Sequence, residues 1–258
     1  MHAKIIKYEN GIRGEVFMDM NLIIYIVGAG IVFVWSMIVQ ANLKYKMQEG
    51  AGIRAGSGKT ANEVVEEMLR AHDVMGITIE HKPGNLTDCY SPKEGKIYLS
   101  DSTYGRDSVT AIAVAAHEAG HAVQDYENMA LYELRQLLAP AAGIASRVGP
   151  YIVIAGLLVS SFAERSTSDI GYTIGTIGIV VYFIAFLFYL VMLPVERNAS
   201  NRAFKDMKEF GWVSDDQLPI ARAALRAAGD TYAVALASSA LTLMRLLVIR
   251  GSRSSRRR

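Results

Sequence analysis

Residues 21–40 (NLIIYIVGAGIVFVWSMIVQ) and 171–193 (GYTIGTIGIVVYFIAFLFYLVML) contain no charged side chain. At 1.5 Å of rise per residue, each is long enough as a helix to cross a hydrocarbon core of about 30 Å. Both read as transmembrane helices, and the 51% hydrophobic content agrees with a membrane protein. A cleaved signal peptide is the alternative for the first, because Val39-Gln40-Ala41 imitates a small-x-small cleavage site. Its apolar core exceeds the usual length of about 7–15 residues and the preceding segment is long and of mixed charge, so a retained anchor is expected.

Residues 148–163 form a shorter apolar run, separated from the next by the polar link 164–169. So short a link favours an antiparallel helical hairpin, over 139–193. Residues 232–249 are apolar but contain Arg245, and a centred arginine is costly in lipid. They read as a core or interfacial helix, with a fourth span as the alternative. The expected layout is an N-terminal segment (1–20), a span (21–40), a polar part (41–138), the hairpin (139–193), a second polar part (194–231), the apolar helix (232–249) and a basic tail (250–258). The tail arginines read as a solvated end, with a patch for anionic lipid headgroups as the alternative. A net charge of +2 suggests no general attraction to nucleic acid, and the single cysteine, Cys89, excludes an intrachain disulfide.

The first polar part is patterned like a globular domain. Thr60-Ala61-Asn62-Glu63 fits a capping box, so a helix should begin at Thr60 and continue through Val64, Val65, Met68 and Leu69. Residues 77–81 alternate like a strand, 82–95 have loop composition, and Lys96, Ile97, Tyr98, Leu99 and Ser100 read as a second strand. Asp107 or Ser108 can cap a helix carrying Thr110, Ala113, Val114, His117 and His121. Pro194 can open a further helix containing Glu196, Ser200 and Ala203.

The segment AVAAHEAGHAVQ, residues 113–124, places His117 and His121 one helical turn apart. Residues i and i+4 share a face, so both imidazoles can reach one zinc ion, and Glu118 beside them suits a carboxylate that takes a proton from activated water. A catalytic zinc site keeps three protein ligands and an open position, so a third ligand is required. Glu127 is nearby, but the sharp glycine turn that would deliver it is absent, since position 124 is Gln. Glu196 follows the hairpin, which returns the chain to the side it left; an acid in a helix's first turn, favoured by the macrodipole, is the competing reading.

The stretches SVTAIAVAAHEAGHAVQ, LPVERNASNRA, KIYLS and AAGDTYAVA resemble the YugP-like neutral zinc metallopeptidases of bacterial membranes, over residues 20 to 249. The resemblance implies His117, His121 and Glu196 as zinc ligands and Glu118 as the catalytic residue. The wider group pairs HExxH with a downstream ExxxD, and Ser200 stands at that aspartate's place. A serine hydrogen bond, or another residue, must then orient the ligand histidine. In the loop 86–92, Cys89 and Ser91 replace a histidine and an aspartate expected in relatives, so no role is transferred there.

The expected fold is therefore a mainly α membrane protein, with transmembrane helices plus a zincin-like α+β domain containing a small sheet and the HExxH helix. The expected activity is zinc-dependent hydrolysis of peptide bonds in protein or peptide substrates, membrane proteins included. Substrate would lie extended along the strand Lys96 to Ser100, with Tyr232 and Arg202 as candidate oxyanion donors. Lys44, Lys46, Arg54 and Lys59 after the first span, and Arg197, Arg202, Lys205 and Lys208 after the third, outweigh Arg165 in the hairpin link. That bias puts the site on the cytoplasmic side of a bacterial membrane, although Lys4, Lys7 and Arg13 precede the first span. GSGKT at 56–60 lacks the earlier glycine of a phosphate-binding loop, since position 53 is Ile, so no nucleotide is expected. The rival reading is a non-hydrolytic zinc-binding membrane adaptor, for which Glu118 would have no use.

Overall fold

The computed structural model describes residues 2–162 and 168–254, and side chains within 20–161 and 169–251. Arg165 and most of the hairpin link lie outside the described residues, as do Arg256, Arg257 and Arg258 of the tail. The elements are α1 (His2–Ala51), α2 (Ala61–Ala71), β1 (Thr78–His81), β2 (Cys89–Ser91), β3 (Lys96–Leu99), α3 (Val109–Tyr126), α4 (Ala130–Phe162), α5 (Ser168–Glu209) and α6 (Leu218–Ser254). Among the described residues the protein is mostly helical, with four helices long and apolar enough to cross a membrane: Met20–Ala51, Ala130–Ser161, Asp169–Glu209 and Leu218–Gly251. Helices satisfy their own backbone groups, as a segment in lipid must.

The chain divides into two compact units. One comprises Met1–Ser36, Leu138–Tyr189 and Val234–Arg258. Glycines bring the backbones of its hairpin together: a methyl group on Gly156 would lie 2.4 Å from the Gly175 nitrogen, and one on Gly178 would lie 2.7 Å from the Val153 nitrogen. Such close approach replaces the hydrophobic drive that lipid cannot supply with dispersion between backbones. Val153, Ile179, Tyr182 and Leu246 are buried together. Ile23, Ile24, Ile31 and Phe33 of α1 are exposed, as side chains facing lipid are.

Residues 232–249 lie within α6, which is long and apolar enough to be the fourth span that the sequence allowed as the alternative. Arg250 stacks on Tyr172 at 4.5 Å and donates from Nη2 to its hydroxyl at 2.9 Å, near the start of α5. The C-terminal end of α6 therefore meets the start of α5. Arg245 lies 5.0 Å over the Tyr25 ring, a partner that lowers the cost of its charge.

The second unit comprises Met37–Leu137 and Leu190–Ala233. Thr60 and Glu63 form the capping box of α2, whose Val64, Val65 and Met68 are fully buried with Ile112, Ala115, Ala116 and Ala119 of α3. Burial of such a face stabilises by roughly 25 cal/mol per Å² of apolar surface. Alanines on α3 keep that face thin and let other helices approach. A methyl group on Gly120 would lie 3.0 Å from the carbonyl oxygen of Ala199 on α5, so this crossing requires a residue without a side chain.

Three corrections concern this unit. Pro194 does not open a helix; it lies inside α5, so Glu196 occupies a helix interior and not a first turn. Residues 89–91, inside the expected loop, form strand β2. The sheet order β1-β3-β2 makes β3 central, paired in parallel with β1 (Ile79↔Ile97) and antiparallel with β2 (Tyr90↔Ile97). Lys96, Ile97, Tyr98 and Leu99 thus have no free edge to accept an added strand, and Ser100 N already donates to Asp88 Oδ1 at 2.8 Å.

Candidate metal centre

α3 carries His117 and His121 on one face, their ring centroids 4.8 Å apart. The close crossing at Gly120 and Ala199 lowers Glu196 of α5 onto that face. Glu196 Oε2 lies 3.2 Å from His117 Nε2 and 3.5 Å from His121 Nε2, and one ligand atom from each of the three residues falls within 4.8 Å of the others. Two atoms each about 2.0–2.1 Å from one tetrahedral zinc are themselves about 3.3 Å apart, so these separations fit ligands of a shared ion. Glu196 is buried, and among the described residues its Oε1 accepts no hydrogen bond, with Arg135 Nη2 3.7 Å away.

Neighbouring hydrogen bonds set the imidazole tautomers. Gln124 Nε2 donates to Val195 O and to Asn198 Oδ1, each at 2.9 Å, which turns its Oε1 toward His121 Nδ1 at 2.9 Å. Asn198 Oδ1 also accepts from Arg202 Nε at 2.8 Å. His121 must therefore donate from Nδ1 and present a lone pair at Nε2. A lone pair facing a carboxylate oxygen is repulsive unless a proton or a metal cation lies between them, and the Nε2 atoms of both histidines are placed to share one. Ser200 Oγ lies 3.1 Å from His117 Nδ1 and orients the other ring, where the ExxxD pattern would have an aspartate.

Electrostatics point the same way. Burial, the largest influence on His117, lowers its pKa, but the hydrogen bond to Glu196 and the charges of Glu118 and Glu196 more than offset it and hold it above its ordinary value. A field that favours a proton at this place also favours a metal cation. Glu118 Oε2 accepts from Tyr90 N of β2 at 3.0 Å. A cavity of about 200 Å³ opens at these groups, lined by His117, Glu118, Glu196, Asp88, Ser200 and Tyr232 among others.

The other sequence candidates are placed elsewhere. Glu127 caps the C-terminus of α3 and forms a two-pronged pair with Arg202, at 2.9 and 2.5 Å, which holds its carboxyl below the usual range. Arg202 does not line the cavity; it anchors the relay through Asn198 and Gln124 to His121. Tyr232 does line it, within electrostatic reach of Glu196 and Glu118. Lys96 pairs with Glu80. Sequence reasoning missed Gln124, Asn198 and Tyr90. The available signal for the first two was an amide three residues after His121 and another two residues after Glu196, in otherwise alanine- and valine-rich surroundings.

A family model described as "Putative neutral zinc metallopeptidase" matches residues 24–251. The chain is 32% identical over 214 residues to a protein of Bacillus subtilis (strain 168) described as "Putative membrane protease YugP", an alignment covering 83% of this chain and 91% of that protein. No solved structure matches it.

Proposed function

Since this chain belongs to the neutral zinc metallopeptidase family, we propose that it is a multi-pass zinc endopeptidase of the bacterial membrane, with His117, His121 and Glu196 as ligands and Glu118 as general base. The observation that carries this reading is the convergence of His117 Nε2 and His121 Nε2, at 3.2 and 3.5 Å, on one oxygen of the buried Glu196 carboxylate. Two nitrogens and one oxygen suit zinc, and an open position beside Glu118 suits a catalytic site better than a structural one. Bound there, zinc would supply Lewis acidity toward a scissile carbonyl and toward water.

The protein's own residues do the rest. Glu118 receives the proton of the attacking water and passes it to the departing amine. Gln124 and Ser200 hold the two rings in register. An extended substrate takes the outer edge of β2 in place of the enclosed β3, and as it pairs with Tyr90 N it displaces Glu118, which holds that N–H in the free protein. Tyr232 is the donor available to a developing oxyanion. Residues 41–138 and 194–231 together act as the zincin-like domain, and the lysines and arginines that follow the first and third spans favour its cytoplasmic placement.

The test is purified wild-type protein against Glu118→Gln, assayed for zinc content and for casein or membrane-protein cleavage. Equal zinc with cleavage reduced by about 10²–10⁴-fold is expected. Zinc in both with cleavage in neither would favour the adaptor reading.

A further inference from the structure

Beside the metal centre lies a second cavity, of about 290 Å³, that no step above uses. It shares Ser200, Leu225 and Gly229 with the first, so the two adjoin within one unit. Its charged lining is Arg197 of α5, Arg222 and Arg226 of α6, and Asp230. No carboxylate lies within ion-pair distance of any of these arginines among the described residues. Arg222 is held over the Phe204 ring at 4.6 Å, which fixes its guanidinium plane and leaves its N–H edge for another partner.

Three like charges around one concavity, opposed by a single carboxylate, repel each other. Folding gains nothing from the arrangement, whereas an incoming anion relieves it. A guanidinium fork matches the two coplanar oxygens of a carboxylate. The shared wall is the decisive point, because Ser200 touches His117 from one cavity and lines the other. A group bound among the arginines is therefore close enough to the metal centre to belong to one extended ligand that occupies both.

We propose that Arg197, Arg222 and Arg226 form a specificity subsite for a carboxylate of the peptide substrate, either an acidic side chain or a free C-terminus. This rests on the peptidase reading for the origin of the ligand, but its test does not require turnover.

Full-length Glu118→Gln protein in detergent would be titrated with fluorescent peptides alike except at one internal Glu or Gln and at a C-terminal acid or amide. At least one acidic peptide should bind about tenfold or more tightly than the fully neutral one, as charged hydrogen bonds require. That preference should weaken with added salt and collapse toward unity in Arg222→Gln/Arg226→Gln protein whose circular dichroism is unchanged. Which acidic peptide gains tells a side-chain subsite from a C-terminal one. Equal binding of all peptides would overturn the proposal. So would an arginine-dependent preference for phosphatidylglycerol micelles with none among peptides, which would make the cavity a lipid-headgroup site. Cleavage by the wild type, measured separately, reports on the peptidase reading: discrimination without cleavage would count against that reading and leave the carboxylate site standing.

Discussion

His121 can offer its Nε2 lone pair to a cation only while Nδ1 keeps its proton, and Gln124 Oε1 at 2.9 Å is the acceptor that keeps it there. Gln124→Leu removes that acceptor and the amide that donates to Val195 O, while Asn198 Oδ1 keeps Arg202 Nε. Zinc affinity should fall by about 10–100-fold, the usual effect of losing the group that orients a ligand histidine, when measured by competition with a chromophoric chelator. Gln124→Glu restores the acceptor and should recover part of the loss. An affinity in Gln124→Leu equal to wild type would mean that the ring is oriented by packing against Tyr132 and not by the amide. Ser200 does the same service for His117 with a neutral oxygen. Ser200→Ala should therefore weaken zinc binding, whereas Ser200→Asp keeps an acceptor at that place.

At the scale of elements, the site depends on how closely α5 crosses α3. A methyl group at position 120 already crowds Ala199 O at 3.0 Å, and the two branches of valine would force the helices apart. Gly120→Val should reduce zinc content sharply, because Glu196 is carried on the displaced helix, while α2 and its cap stay intact; zinc analysis and circular dichroism on one preparation check both. By contrast, Thr60→Ala removes the cap of α2 and should cost about 1 kcal/mol of stability without altering zinc affinity. These elements also show what the sequence could convey. The capping box, the start of α3 at Ser108 and the i,i+4 pair of histidines are local, so their spacing alone expressed them. The strand order is not local: nothing within KIYLS says that β2 arises from the loop-like 89–91 and closes its second edge. Pro194 misleads for a related reason, since a proline that would end a helix in water is accommodated within a long apolar one. The relay from Arg202 through Asn198 and Gln124 to His121 joins residues up to 81 positions apart, which no local pattern expresses.

For the whole molecule, the count of spans and the count of charges pull against each other. Arg250 reaching Tyr172 sets the end of α6 beside the start of α5. If α6 is a fourth span, the sequence order of spans puts the arginine-rich tail with the N-terminal Lys4, Lys7 and Arg13 in the count of charges, which narrows the bias that favours a cytoplasmic centre. If charges near the first span dominate insertion, the tail should not matter. The lone Cys89, partly exposed on β2, makes this measurable. In intact cells a membrane-impermeant thiol reagent should leave Cys89 unlabelled until the membrane is opened, and a single cysteine introduced as Ser166→Cys in a Cys89→Ser background should label at once. Truncation after residue 251 should change neither result. Labelling of Cys89 from outside in the full chain, and its loss on truncation, would show that the tail arginines set the orientation and that the metal centre faces outward.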